Sequence, residues 1–448
     1  MVELAEIPPG MAAAADGPEA ARRARLRMAG VCLLGAAFGA SILPFFAVGA
    51  ALGPMMLEFD WTASQVRLAY GLMMWAGALG VWPMGVLVDR LGARPVAAGA
   101  AAAIALVSLL LPFVHEFCQF GILIGLLGAL GASGLAYSRT IASLFGARRG
   151  LAMGVLTAEA AVLGVLAPLA MGRLVSEGGW RGAFTVIGLL VLALAPVLYV
   201  GLTGRRSPPG LPRWTRPATS AETGMTAVQA VRQLAFWIIA AAGLATAVTG
   251  GVVLASFGAA IGAKGFEQTA VSRAAAPFTL MAALAGAICA GAVLDRSRSP
   301  RVAGAAYLAT AMTYLLWSLA TPSFGGEPML IAGLAIGAFA FTAQVPMVAY
   351  FFSRYFGLTS FATVCGVQAC LQACLQAVCL ALSGPVLARG LGRVGDYHLM
   401  FQVGIGAQVL AALLYLLLPP YRYAAIDGDG DGPEHPAASR TVVGVRSQ

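Results

Sequence analysis

The feature that most constrains this chain is a series of twelve long apolar runs, each about the length of a bilayer-spanning helix. Of its 448 residues, 59% are hydrophobic and 10% are charged, whereas a soluble globular chain carries about 25% charged residues. Lipid offers the backbone no hydrogen-bond partners, so only helices and closed barrels span it. Barrel strands would read as short alternating segments. The long continuous runs therefore predict an all-α membrane protein with twelve transmembrane helices.

The runs form two sets of six, separated by a polar, basic segment. The first set covers 28–52, 66–88, 95–114, 118–143, 151–173 and 181–202; the second covers 233–261, 271–294, 302–321, 328–352, 361–388 and 398–419. We number these predicted spans 1 to 12. The pattern predicts five parts: an N-terminal tail (1–27), a first six-helix bundle (28–203), a linker (204–232), a second six-helix bundle (233–419) and a disordered tail (420–448).

The basic residues predict how the chain is oriented. With the N-terminus inside, the inner segments hold 20 Arg and Lys residues and the outer segments hold 7. The positive-inside rule then places both termini and the linker in the cytoplasm. The net charge of +9 does not indicate nucleic-acid binding, because the arginines form short clusters between apolar runs. We expect a monomer in the lipid bilayer of the cytoplasmic (inner) membrane of a bacterium.

A short motif occurs once in each half of the chain. After span 2 the sequence reads Gly85-Val-Leu-Val-Asp89-Arg90-Leu-Gly92-Ala-Arg94, and after span 8 it reads Gly291-Ala-Val-Leu-Asp295-Arg296. In both copies the Asp-Arg pair follows its glycine by four residues. Parallel six-helix repeats are one architecture of secondary transporters, so the motif supports the division into two related halves.

The first copy resembles the signature loop of the major facilitator superfamily. The resemblance implies two six-helix bundles around a cavity that opens alternately to either side, with this loop as part of the gate. It places Asp89 against the N-terminus of span 11, near Thr359 and Ser360, where the helix dipole favours a negative charge. Asp295 would act likewise in the other half. The alternative is a solvated turn that only sets orientation.

A second, narrower resemblance is to the monocarboxylate and oxalate/formate porter branch of that superfamily. It rests on these segments: Leu144–Gly154, Pro168, Gly179–Phe184, Glu58–Trp61 and Ser353–Gly357. That branch usually holds the substrate carboxylate with a basic residue inside span 8 and often another inside span 11. Here those spans carry only Arg273 and Arg389, at their outer ends. The second departure is Glu159, which stands where the branch normally has glycine.

Two ionisable residues, Arg139 and Glu159, lie deep within predicted spans, where charge is costly and is a functional candidate. Measured from Arg148 and Arg149, they lie about 13 Å and about 15 Å from the inner ends of spans 4 and 5. We therefore expect an ion pair between them that holds substrate, couples protons or both. The alternative is a buried pair that only locks two helices. If Glu159 is unpaired, it could carry a proton.

Uncharged polar side chains and two aromatic residues are the remaining candidates for the cavity wall. Gln368, Gln372 and Gln376 share one face of span 11, because they are spaced by four, and Gln344 lies in span 10. These amides either line the cavity or only hydrogen-bond between helices. Phe45 and Phe46 in span 1 are candidates as well, with ordinary core packing as the alternative.

No enzymatic, cofactor or metal motif stands out. The seven cysteines include no CxxC, and Asp427–Gly432 matches only the first half of a calcium loop. Without a GxxxxGK[ST] loop, an ion gradient is the expected energy source. We expect a secondary transporter of a small organic anion, a mono- or dicarboxylate, coupled to protons. Two alternatives remain open: an exporter of a hydrophobic or neutral compound, and a non-transporting membrane receptor.

Overall fold

The computed structural model describes residues 18–39, 42–145, 148–202, 224–297, 299–323, 326–390, 394–419 and 421. Every regular element in these residues is a helix. Most of the predicted linker lies outside them, as do residues 1–17 of the N-terminal tail and all of the C-terminal tail except Tyr421. An isolated β-bridge joins Gly224 and Gly357.

The described residues of the first part of the chain, 18–39, 42–145 and 148–202, contain seven α-helices. They are α1 (Pro18–Leu34), α2 (Ile42–Phe59), α3 (Ala63–Leu91), α4 (Ala93–Leu110), α5 (Phe117–Gly131), α6 (Gly134–Leu144) and α7 (Arg149–Gly201). A π-helical turn, Gly35–Gly39, follows α1, and a 3-10 turn, Leu111–Phe113, follows α4.

From Gly224 onward, the part of the chain that the structure describes also contains seven α-helices. They are α8 (Ala227–Val231), α9 (Leu234–Ala263), α10 (Gln268–Arg296), α11 (Val302–Leu319), α12 (Gly326–Tyr355), α13 (Phe361–Gly390) and α14 (Val394–Leu416).

Several predicted spans differ from the helices, each for a local reason. Span 1 begins at Pro18 rather than 28 and is interrupted by the π-helical turn. Span 4 divides into α5 and α6 at Ala132 and Ser133, between two glycines. Their φ and ψ remain in the right-handed helical region, but their N–H groups bond to carbonyls three residues back rather than four. Spans 5 and 6 form the two arms of α7, which turns sharply at Gly179 with φ 69° and ψ 169°. Glycine tolerates this positive φ at little cost.

The helices have the length and composition of a multi-pass membrane protein. Ten stretches of the described chain are long and apolar enough to cross a bilayer. One of them is the 53-residue α7, which is long enough for two crossings, since about 20 residues suffice for one. Large apolar side chains also face outward, among them Leu57, Leu79 and Trp82, as expected where lipid replaces water. The predicted all-α membrane fold is confirmed.

Two pairs of helices join the first part of the chain to the second. Helix α3 packs along α13, and the first arm of α7 packs along α10. In the predicted numbering, span 2 pairs with span 11 and span 5 pairs with span 8. Spans 2 and 8 occupy the same place in their respective sets of six, and so do spans 5 and 11. The two pairs are therefore equivalent by the repeat. The motif residues Asp89 and Asp295 lie at the ends of α3 and α10, one helix from each pair.

Candidate functional site

Asp89 joins the end of α3 to the beginning of α13. Its Oδ2 accepts hydrogen bonds from the backbone N–H and the hydroxyl of Thr363, both at 2.6 Å, and its Oδ1 accepts from the N–H of Ala362 at 3.3 Å. These N–H groups belong to the first turn of α13, where they have no partner within the helix. The carboxylate therefore caps α13, which is the geometry that the resemblance to the signature loop implies.

Arg139 also binds Asp89. Its Nε lies 3.4 Å from Asp89 Oδ1, its Nη1 donates to Val88 O at 3.0 Å, and the residue is 8% exposed. The expected ion pair between Arg139 and Glu159 is absent from the described residues, so that prediction was wrong. The predicted depth of Arg139 was counted from Arg148, taken as the end of span 4, whereas α6 already ends at Leu144. Arg139 is thus only about 8 Å from the end of its helix.

Asp295 forms a matching contact in the other half. Its Oδ1 accepts from the N–H of Gly150 at 2.7 Å and its Oδ2 from the N–H of Leu151 at 2.8 Å, at the first turn of α7. Asp295 therefore caps α7 as Asp89 caps α13.

Both capped helix ends lie at the same end of the molecule, which we call the motif side. Arg354 interacts electrostatically with Arg149 at the first turn of α7. It is seven residues before Phe361, the first residue of α13. Next to it, Tyr350 accepts a hydrogen bond from Arg354 and donates one to Leu294 O, each at 3.1 Å. The motif side thus carries a polar network that ties α10 to α12 and α7.

Glycines allow the backbones to touch at both junctions. A β-carbon on Gly85 would clash with the carbonyl of Ala362, and one on Gly291 would clash with the carbonyl of Gly150. This close approach of the two backbones is possible only because Gly85 and Gly291 carry no side chain. The two parts of the chain are therefore in direct contact on the motif side.

A second charged cluster lies at the opposite end of the first half. Glu58 accepts a hydrogen bond from Trp180 Nε1 at 2.6 Å and forms an ion pair with Arg181. Arg181 also donates to Pro112 O at 3.0 Å, and its guanidinium lies 4.2 Å from the centre of the Trp180 ring. These contacts tie α2, α7 and the turn after α4 together, all within the first part of the chain.

A cavity of about 470 Å³ lies between these two ends. Its wall comes from α2, α3, α5 with the turn that follows it, and α13. The lining residues are Phe45, Met73, Met74, Gly77, Ala78, Val81, Leu127, Gly128, Gly131, Ala132, Ala369, Gln372, Ala373 and Gln376. Val81 is eight residues before Asp89, so the cavity begins about 12 Å from the motif side. No charged side chain is among these described lining residues, whose polar side-chain groups are the amides of Gln372 and Gln376.

Of the residues predicted to line the cavity, some do so and others lie behind its wall or elsewhere. Phe45, Gln372 and Gln376 line the cavity, and Gln368 lies behind them, donating to Gln372 Oε1 at 3.0 Å. Phe46 packs on Phe45 with ring centres 5.4 Å apart but is not among the described lining residues.

Gln344 is buried between α12, α11 and α9. It donates to Thr310 Oγ1 at 2.8 Å and accepts from Thr246 Oγ1 at 3.0 Å. This is the interhelical bonding that was the alternative interpretation.

Glu159 lies apart from both the cavity wall and the motif side. Its Oε2 is buried and has no hydrogen-bond partner among the described residues, and the same holds for Tyr137 Oη on α6. Sequence reasoning overlooked Tyr137 and Thr363. Tyr137 could have been noted as a polar side chain two residues before Arg139, whereas no sequence signal distinguishes Thr363.

Comparison with known proteins identifies the family. The family model described as Major Facilitator Superfamily matches residues 30–375. The chain belongs to the Major Facilitator Superfamily.

Two relatives of this superfamily protein are informative about its fold. The uncharacterized MFS-type transporter YcxA of Bacillus subtilis (strain 168) is 28% identical over 153 residues, which is 33% of this chain and 38% of that protein. The match thus spans well under half of that relative's length. The crystal structure of the human organic anion transporter MFSD10 (TETRAN) superposes with a TM-score of 0.67 at 15% identity, covering 87% of this chain and 99% of the other. The chain therefore has the superfamily's all-helical transporter fold.

Proposed function

We propose that this protein is a secondary active transporter that carries a small organic compound by alternating access. The proposal rests on two contacts on the motif side, in each of which a carboxylate accepts hydrogen bonds from the first turn of a helix. Each joins a residue of one half to a helix of the other, Asp89 to α13 and Asp295 to α7. A cavity about 12 Å away can open toward the motif side only if such contacts break.

The composition of the cavity wall favours an uncharged, largely apolar substrate. Phe45, Met73 and Met74 offer apolar surface, and Gln372 and Gln376 offer amide donors and acceptors. Arg139, the basic residue expected to hold an anion, is instead bound to Asp89 and Val88. A buried anion needs a paired charge or several donors, and the described wall supplies two amides.

A small organic anion, a mono- or dicarboxylate, is the second candidate. It is supported by the likeness of Leu144–Gly154 and of Gly179–Phe184 to the monocarboxylate and oxalate/formate branch. A cavity wall without a cationic side chain should exclude an anion and admit an uncharged compound. Uptake of the two classes of compound therefore distinguishes the two candidates.

Protons are the proposed coupling ion, and the cytoplasmic membrane of a bacterium is the proposed location. The absence of a phosphate-binding GxxxxGK[ST] loop from the sequence supports drive by an ion gradient. The excess of arginine in the segments on the motif side supports a cytoplasmic motif side with cytoplasmic termini.

Uptake into proteoliposomes tests the function. Purified protein is reconstituted, and labelled carboxylates and labelled uncharged amphipathic compounds are offered with and without an imposed pH gradient. We expect accumulation of an uncharged compound that depends on the gradient. Accumulation of carboxylates alone would favour the second candidate, and no gradient-dependent uptake of either class would contradict the proposal.

A fusion tests the orientation. A reporter that is active only in the cytoplasm, placed after Gly210 in the linker, should be active. Activity of a reporter that works only outside the cytoplasm, at the same position, would reverse the assignment.

A further inference from the structure

Two arginines, Arg149 and Arg354, lie at the junction between the halves on the motif side. Arg149 is the first residue of α7, and Arg354 is one residue before the end of α12. These two helices pack against each other, and the positive charge of Arg354 acts unfavourably on that of Arg149. The junction therefore holds one cation from each half of the chain.

Hydrogen bonds to two consecutive residues of α10 fix this arrangement. On one side, Asp295 accepts from the N–H of Gly150, the second residue of α7, at 2.7 Å. On the other side, Leu294 O accepts from the Tyr350 hydroxyl, which in turn accepts from Arg354, each at 3.1 Å. Direct contacts thus hold both arginines at the last turn of α10.

Neither guanidinium forms an ion pair among the described residues. Within that part of the chain, the Arg149 side chain makes one hydrogen bond, to Phe145 O at 3.4 Å, and the Arg354 side chain makes the one to Tyr350. Asp295 attracts both arginines, but its two oxygens accept from backbone N–H groups of α7. Because a guanidinium carries five N–H donors, most donors of this pair are not used by the described residues.

The burial of Arg354 requires a partner for its charge. Arg354 is 8% exposed, and its Nε is buried without a hydrogen-bond partner among the described residues. The Tyr421 hydroxyl, whose ring centre is 6.3 Å from that of Tyr350, is buried and unpartnered in the same sense. Buried polar groups are nearly always hydrogen-bonded, and a buried charge is normally paired. The two arginines therefore have the properties of an anion-binding site.

The chain supplies an anionic segment immediately after this site. Tyr421 packs on Tyr350 and on Tyr355, with 5.4 Å between the ring centres of the second pair, so the chain passes beside the residue that binds Arg354. The segment that follows carries four carboxyls within eight residues: Asp427, Asp429, Asp431 and Glu434. The first is six residues beyond Tyr421, and six residues span up to about 20 Å. The carboxyls can therefore reach the arginines.

We propose that the acidic segment 427–434 binds Arg149 and Arg354 and thereby holds the motif side closed. A carboxylate fits the planar fork of a guanidinium, with which it forms two parallel hydrogen bonds. Carboxylates between the two arginines bind α7 and α12 at once, so they tie the first half to the second. The proposal rests on the proposed function, in which the motif side opens and closes, and adds a regulatory contact to it.

The distance between two spin labels tests the contact in full-length protein in nanodiscs of neutral lipid. With the native cysteines replaced by serine, one label is attached at Gly430, inside the acidic segment. The other is attached at Arg301, which is exposed at the start of α11. We expect a narrow distance distribution, because a bound segment is held in one place. An unbound chain nine residues beyond Tyr421 would spread over roughly 16 Å and give a broad distribution.

Variants on both sides of the contact make the result specific. Replacing Asp427, Asp429 and Asp431 together by Asn leaves the helices unchanged and should abolish the narrow component. Arg149→Gln should lower the ratio of bound to unbound segment by about tenfold, because it removes hydrogen bonds to a charged group. The matched control is Arg173→Gln, exposed at the other end of the first arm of α7, which should leave the distribution narrow. Elution as a monodisperse species confirms that each variant is folded.

Three results would overturn the proposal. The first is a broad distribution in the protein without these substitutions. The second is a narrow component that survives the triple substitution or Arg149→Gln. The third is a narrow component that is lost in nanodiscs of anionic lipid, which would assign the arginines to a lipid headgroup. Because no transport is measured, these outcomes are independent of whether the proposed transport function holds.

Discussion

Replacing Asp89 by asparagine should destabilise the contact between the two halves on the motif side. The side chain keeps its size and loses its charge. With its remaining oxygen toward Thr363, the amide nitrogen faces the N–H of Ala362 and the guanidinium of Arg139, which are both donors. The variant therefore loses the hydrogen bond from Ala362, the ion pair with Arg139, and the charge that strengthens the two bonds from Thr363.

The size of the effect follows from these contacts. A neutral hydrogen bond contributes about 1 kcal/mol and one to a charged group about 2 kcal/mol. The Ala362 bond is long, at 3.3 Å, and is counted at about 1 kcal/mol; losing it and weakening the two bonds from Thr363 by about 1 kcal/mol each costs about 3 kcal/mol in the closed state. That corresponds to a change of about 150-fold in the ratio of closed to open molecules. Substrate affinity should change little, because Asp89 is about 12 Å from the nearest cavity residue.

Distances between spin labels on the motif side measure this ratio. Arg90 on α3 and Arg296 on α10 are both exposed, so cysteines there can carry labels once the native cysteines are replaced by serine. We expect Asp89→Asn to shift the distance distribution from a short to a long component. Glu177→Gln, at the other end of the first arm of α7, is the control and should leave the distribution unchanged.

A double substitution separates the contributions of the two charges. Arg139→Gln alone should open the motif side less than Asp89→Asn, because the bonds from Thr363 remain. With both changes the effects should not add, since the two residues contact each other. An unchanged distance distribution in Asp89→Asn, or strict additivity of the two substitutions, would refute the assigned geometry.

Three further outcomes test other contacts. Asp295→Asn should shift the same distances in the same direction, by a similar amount, because it also loses charge-assisted bonds to the first turn of a helix; no shift would show that the two halves are not equivalent. Gly85→Ala should block closure of the motif side and abolish transport with little loss of expression, whereas Gly99→Ala, whose β-carbon has open space, should behave as wild type. Lys264→Met should lower the unfolding temperature, because the Lys264 ammonium group donates to three carbonyls at 2.5–3.0 Å at the end of α11. An unchanged unfolding temperature would show that these hydrogen bonds contribute little to stability.

The sequence by itself determined the class of fold. Runs of about 20 apolar residues leave the backbone no alternative to helices in lipid, and this conclusion depends only on local hydropathy. The place of Asp89 against the first turn of span 11 came from the resemblance of Gly85–Arg94 to the signature loop. The physical reason for that place is that the first N–H groups of a helix have no partner within it.

Only the tertiary structure decided which charges meet. Arg139 and Glu159 lie at similar predicted depth on consecutive spans, yet Arg139 binds Asp89, which is 50 residues earlier in the chain. The reason is that α6 ends at Leu144, which brings Arg139 near the end of its helix, and the rotation of each helix then selects its neighbour. Depth along a helix can be counted from the sequence. Rotation about its axis is set by packing against all neighbouring helices at once, and for that reason Arg139 meets Asp89 and not Glu159.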